Sequence, residues 1–126
     1  MLNYSYELRD LPVEKNDFID VAAKIFLKDS INDFMIVTSV KNNDSIIYWK
    51  AANINQFVQD TGRWINICNS LKFSDINLDM KDPLNVVEIY FWNSGQNKFF
   101  IDNYQINIRK GNPFLYGLYY KILNKN

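Results

Sequence analysis

Apolar and polar residues alternate along most of this chain, and a period of two is the mark of β-strands rather than helices. The stretch from Val86 to Ile108 shows it best. Val87, Ile89 and Phe91 point one way, and Glu88, Tyr90 and Trp92 point the other. A tight turn over 93–97 leads to a second run, in which Phe99 and Ile101 are in phase and Tyr104, Ile106 and Ile108 resume one residue later. The slip falls at Asp102-Asn103, where a β-bulge would produce it. The two runs read as a β-hairpin with one aliphatic rail and one free rail.

The same pattern extends in both directions. Tyr4 to Leu8 is a short strand. Phe18 to Lys28 is a longer one, with Ile19, Val21, Ala23, Ile25 and Leu27 on one face and Asp20, Lys24 and Lys28 on the other. Phe34 to Lys41 is apolar on both faces, as a central strand would be. Asn43 and Asp44 belong to a turn, being residues that tolerate left-handed backbone, and Ser45 to Ala52 completes a hairpin over 34–52. The stretch 53–62 has the weakest strand pattern and suits a helical turn or a crossing loop. Arg63 to Leu71 is a strand, and 72–85 is a long polar connection. Gly111-Asn112-Pro113 stops the last strong strand. Residues 114–126 fit helical and strand spacing alike, and we read a final strand there. The prediction is an all-β fold of about seven or eight strands in two antiparallel sheets, a β-sandwich or jelly roll, forming one domain over 1–126.

Composition removes several classes of function. Lys plus Arg and Asp plus Glu are 14 each, so the chain carries no electrostatic footprint for nucleic acid. No apolar run approaches the ~20 residues that span a bilayer as a helix, so no membrane insertion is expected. The first ten residues lack the basic and apolar segments of a signal peptide, which predicts a cytoplasmic protein or a domain cut from a larger chain. There is no histidine, which excludes Ser-His-Asp and Cys-His catalysis and His-ligated metals. Cys68 is the sole cysteine and forms no internal disulfide. The informative excess is aromatic, at 16%.

The order of features resembles galactose-binding-domain-like jelly rolls, the fold of many bacterial carbohydrate-binding modules. The features are the strand FMIVTSV, the pair Tyr48-Trp49, the turn Gly62-Arg63-Trp64, a polar loop with Asp75 and Asp82, the phrase Val87 to Asn93, and Phe100-Ile101-Asp102-Asn103-Tyr104. The resemblance covers roughly 18–109. It implies a non-catalytic accessory module, with a glycan partner, in a cell-envelope or secreted protein. It also implies a structural Ca2+ site that would use Asp102. Asn103 stands where the family has a second acid, and Glu7 or Glu14 would replace the acid of its N-terminal Gly-Phe-Glu phrase.

Glu88, Tyr90 and Trp92 lie at i, i+2 and i+4 on one rail, where aromatics can stack on sugar rings and a carboxylate can accept hydroxyl hydrogen bonds. The alternative is that the rings pack between the sheets or under a loop. Trp64 opens its strand after a Gly-Arg turn, and serves either as a core cap or as part of a binding rim. Tyr48 shares a face with Lys50, and Trp49 with Ile47 and Ala51, so Tyr48 is the one expected at the surface. Asp102 would either coordinate a hard cation or accept backbone N–H bonds at the bulge. Asp75-x-Asn77-x-Asp79 begins like an EF-hand loop, but Met80 and Val86 occupy the positions that need glycine and glutamate, which rejects it. Glu88 has no evident carboxylate partner, so glycoside hydrolysis is not expected. Two functions remain: carbohydrate binding through Tyr48, Trp64, Glu88, Tyr90 and Trp92, or a structural or protein-interaction domain of a larger envelope protein.

Overall fold

The computed structural model describes residues 3–27, 34–53, 62–93, 99–112, 114 and 118–124. Their strands are β1 (Asn3–Glu7), β2 (Phe18–Leu27), β3 (Phe34–Asn42), β4 (Ser45–Asn53), β5 (Trp64–Lys72), β6 (Asn85–Asn93), β7 (Phe99–Arg109) and β8 (Tyr119–Asn124). Two 3-10 turns, Leu8–Asp10 and Phe73–Asp75, are the helical elements among the described residues. No described helix is long and apolar enough to cross a membrane. The strands form two open four-stranded sheets, ordered β1-β6-β3-β4 and β5-β2-β7-β8, with every pairing antiparallel. The molecule is a jelly-roll-like β-sandwich.

Alternation builds the core directly. Ile19, Val21 and Ile25 of β2 and Ile106 and Ile108 of β7 point inward from the second sheet. Val87, Ile89 and Phe91 of β6 and Ile36 and Val40 of β3 meet them from the first. Burying each such side chain contributes about 1.5–3 kcal/mol relative to leaving it in water. β3 is central, as its two apolar faces predict, lying between β6 and β4. Aromatic rings run through one part of the interior: Phe34 to Phe91 at 6.1 Å, Phe91 to Tyr104 at 5.8 Å, and Tyr104 to Tyr4 at 6.1 Å between centroids.

The β3–β4 hairpin closes as expected, with Asn43 and Asp44 at φ 50° and 67°. A two-residue loop between twisted strands favours positive φ at both positions. The β-bulge also forms where the apolar phase slips. Ala22 pairs with Gln105 and Lys24 with Asp102, so Ala23 alone opposes Asn103 and Tyr104, and Asn103 takes φ 51°.

One expectation is overturned. β6 and β7 are not a hairpin: β6 pairs with β1 and β3, and β7 pairs with β2 and β8, in the other sheet. Both strands turn an aliphatic rail to the same core from opposite sides, and alternation records the rail without recording the sheet. The turn expected at 93–97 and the loop at 53–62 fall mostly outside the described residues.

Two polar devices fix the sandwich. Asn69 of β5 is buried, and its Nδ2 donates to the carbonyls of Lys50 and Ile36 at 3.0 and 3.2 Å, with Thr38 Oγ1 at 3.4 Å. This amide ties the second sheet to β3 and β4 of the first. Asp17 accepts from Lys110 Nζ, from the Gly111 N–H at 2.9 Å and from the Glu14 N–H at 2.8 Å. It locks the segment before β2 to the end of β7. The backbone approach there is so close that a Cβ on Gly111 would sit 1.9 Å from the Asn16 carbonyl oxygen.

Candidate functional site

The outer face of the first sheet carries most of the predicted binding residues. Register places Trp92 beside Met35, Tyr90 beside Val37, and Glu88 beside Ser39. On the far side of β3, Ala51 lies next to Val37 and Trp49 next to Ser39. β1 adds Asn3 beside Tyr90 and Ser5 beside Glu88. Trp49 Nε1 donates to Tyr90 Oη at 3.1 Å. Because β3 separates β4 from β6, that bond crosses β3 and roofs part of it. Val37 and Ser39 therefore lie on an outer face yet are 0% exposed.

Beside this roof is a hollow of about 330 Å³ lined by Asn3, Ser39, Lys41, Ile46, Glu88, Tyr90 and Trp92. Lys41 Nζ and Glu88 Oε2 are 3.1 Å apart, both side chains about a quarter exposed. The Ser39 hydroxyl at the floor is buried and has no hydrogen-bond partner. An unmatched buried hydroxyl costs roughly 1–3 kcal/mol, and this one is closed off from solvent. Trp92 and Trp49 remain 41% and 48% exposed, leaving ring surface for a ligand to cover. The site thus offers flat apolar surface, one ammonium and one carboxylate, the mixture that orients a polar ligand bearing apolar patches.

Glu88, Tyr90 and Trp92 come together here, and Tyr48 and Trp64 do not. Tyr48 pairs with Val40 and packs against the core, which reverses the expected choice between Tyr48 and Trp49. Lys50 misled that reading. It lies on the inward side of edge strand β4, and its ammonium reaches the Ser70 carbonyl at 2.6 Å across the open edge of the sandwich. A lysine at an edge can keep its stem inside and its head at the rim. Trp64 is on the outer face of the second sheet, half exposed, with its ring 5.5 Å from that of Phe26. It neither caps the core nor borders the hollow. Trp49 is the site residue that sequence reasoning passed over. The available signal was its shared face with Ala51, a small residue that leaves room for an indole.

Asp102 is exposed, and its Oδ1 accepts the Asn103 N–H at 2.9 Å. No group of three or more His, Cys, Asp or Glu residues gathers to hold an ion among the described residues. At the bulge the Asp102 carboxylate serves the backbone.

Other hollows carry less chemistry. One, about 520 Å³, lies by the β3–β4 turn. Several of its polar groups bond one another: Asn42 Nδ2 donates to Asn85 Oδ1 and Asp82 Oδ2 at 2.8 and 3.1 Å, and Asn85 Nδ2 donates to the Asp79 carbonyl at 2.7 Å. Two shallow depressions on the second sheet, about 380 and 410 Å³, meet at Ala22, Cys68 and Gln105 and are lined mainly by small and polar side chains. Comparison of the chain with protein-family models, curated proteins and solved structures finds no match.

Proposed function

We propose that this domain is a non-catalytic binding module that takes carbohydrate on the outer face of its first sheet. One observation carries the reading: Tyr90 and Trp92 line a hollow together with the Lys41–Glu88 pair, and Trp49 is held beside it by its bond to Tyr90. Pyranose rings present apolar C–H faces to aromatic surfaces and hydroxyls to the polar groups between them. The resemblance of 18–109 to galactose-binding-like modules supports the same reading, and with it goes a place in a larger envelope or secreted protein. Glu88 is paired with Lys41 rather than with a second carboxylate, and glycoside hydrolysis ordinarily uses two.

A second reading has one observation in its favour. Ile46 and Ile47 are exposed, Ile46 at the hollow itself, and exposed apolar surface is also what a protein partner covers. Tryptophan fluorescence across a panel of soluble glycans separates the two. A ligand-dependent change that is lost in Trp92→Ala and kept in Trp64→Ala supports the glycan site. An unchanged spectrum across the panel, with normal folding, sinks it in favour of the protein interface.

A further inference from the structure

We infer that the hollow selects neutral sugars through two adjacent hydroxyls, which the Lys41–Glu88 pair reads together, and that it rejects sugars bearing a carboxylate. The inference rests on the carbohydrate reading of this face and specifies its substrate class.

Among the described residues, Lys41 and Glu88 are the two charged side chains lining the hollow, and they cancel. Among the described residues, the next carboxylate on this face, Glu7, lies one row further along β1 beside Val86 and is engaged by Arg9 at 3.2 Å. A neutral diol fits the pair without disturbing it. One hydroxyl donates to a Glu88 oxygen, and its neighbour accepts from Lys41 Nζ, an ammonium with three donors. Both new bonds involve an ionised group and are therefore the stronger kind. A uronic acid would instead place its carboxylate against Glu88, or would take Lys41 away and leave Glu88 without its cation. Either course costs what the neutral sugar gains. The volume is near the lower end of the usual range for ligand sites, which suits a single ring rather than a length of chain.

The test uses matched pairs: galactosides against galacturonides, and glucosides against glucuronides, titrated into the protein at low salt by calorimetry. The expected result is at least tenfold preference for the neutral member of a pair. Glu88→Gln keeps the shape and removes the negative charge, and it should collapse or invert that preference. Lys41→Met should weaken the neutral sugar tenfold or more, and an analogue lacking one of the two hydroxyls should lose as much against the unaltered protein. Equal binding of charged and neutral members, or a preference unmoved by Glu88→Gln, overturns the inference while the glycan site stands. Absence of binding to every sugar overturns both, and Trp92→Ala distinguishes binding on this face from binding elsewhere. Circular dichroism of each variant confirms that the fold is intact.

Discussion

Asp17 is 1% exposed, and burial alone would raise its pKa. The hydrogen bonds from Lys110 and from the Gly111 and Glu14 N–H groups, with the charge of Lys110, outweigh burial and hold the carboxyl below the usual aspartate range. The sign follows. A carboxyl depressed in the folded state contributes stability above its unfolded value, about 3.9, and loses it as pH falls through the lower folded value. Asp17→Ala should cost about 3–5 kcal/mol in urea unfolding at neutral pH, because it leaves the buried Lys110 ammonium without its counter-ion. It should also flatten the fall in stability below about pH 4. Tyr4 behaves in the opposite sense. Burial first, then its hydrogen bond with Tyr104, raises its pKa. Its contribution is complete below the ordinary tyrosine value of about 10 and is lost at higher pH. Absorbance at 295 nm should show Tyr4 ionising only as the domain unfolds in alkali, and early titration in the folded protein would contradict its packing against Tyr104.

At the level of the element, the sequence was most readable where backbone and side chain make the same demand. Asn43, Asp44 and Asn103 hold positive φ, and each is a residue type that tolerates it. Asn103→Val should cost about 1–2 kcal/mol, since a β-branched residue resists the left-handed region, whereas Asn103→Gly should be close to neutral. Urea midpoints of the two variants provide the check, and equal loss in both would mean that the Asn103 side chain, rather than its backbone, matters. The β6–β7 error has a different origin. Val87, Ile89 and Phe91 announce an inward rail, as do Ile106 and Ile108, but which sheet a strand joins depends on pairings distant in sequence. Val86 to Ile108 resembles a hairpin because a short link can cross the sandwich as readily as it can turn within a sheet. Tyr48 and Trp49 exchanged roles because Lys50, at an edge, satisfies its charge on another strand's carbonyl.

Across the whole molecule, the three tryptophans divide between two outer faces: Trp49 and Trp92 on the first sheet, Trp64 on the second. All are 41–50% exposed. A neutral quencher should therefore reach all three in the free protein, and a bound glycan should protect the first two while leaving Trp64 open. Protection of Trp64 alone would move the site to the other face. The sandwich itself was legible because alternation and turn residues agree over most of the chain. The site was legible in part, since strand phase puts Glu88, Tyr90 and Trp92 on one rail but cannot say that β3 and β4 lie beside it with Ser39, Lys41 and Trp49. Those neighbours come from the strand order, which has a further consequence in time. Tyr4 sits beside Ile89, and Ile19 beside Ile108, so most of the sheet forms only after remote parts of the chain have met. Such topologies fold in about milliseconds to seconds, not microseconds. Stopped-flow refolding should place this domain in that slow range, with the β3–β4 segment, whose partners are adjacent, able to assemble ahead of the rest.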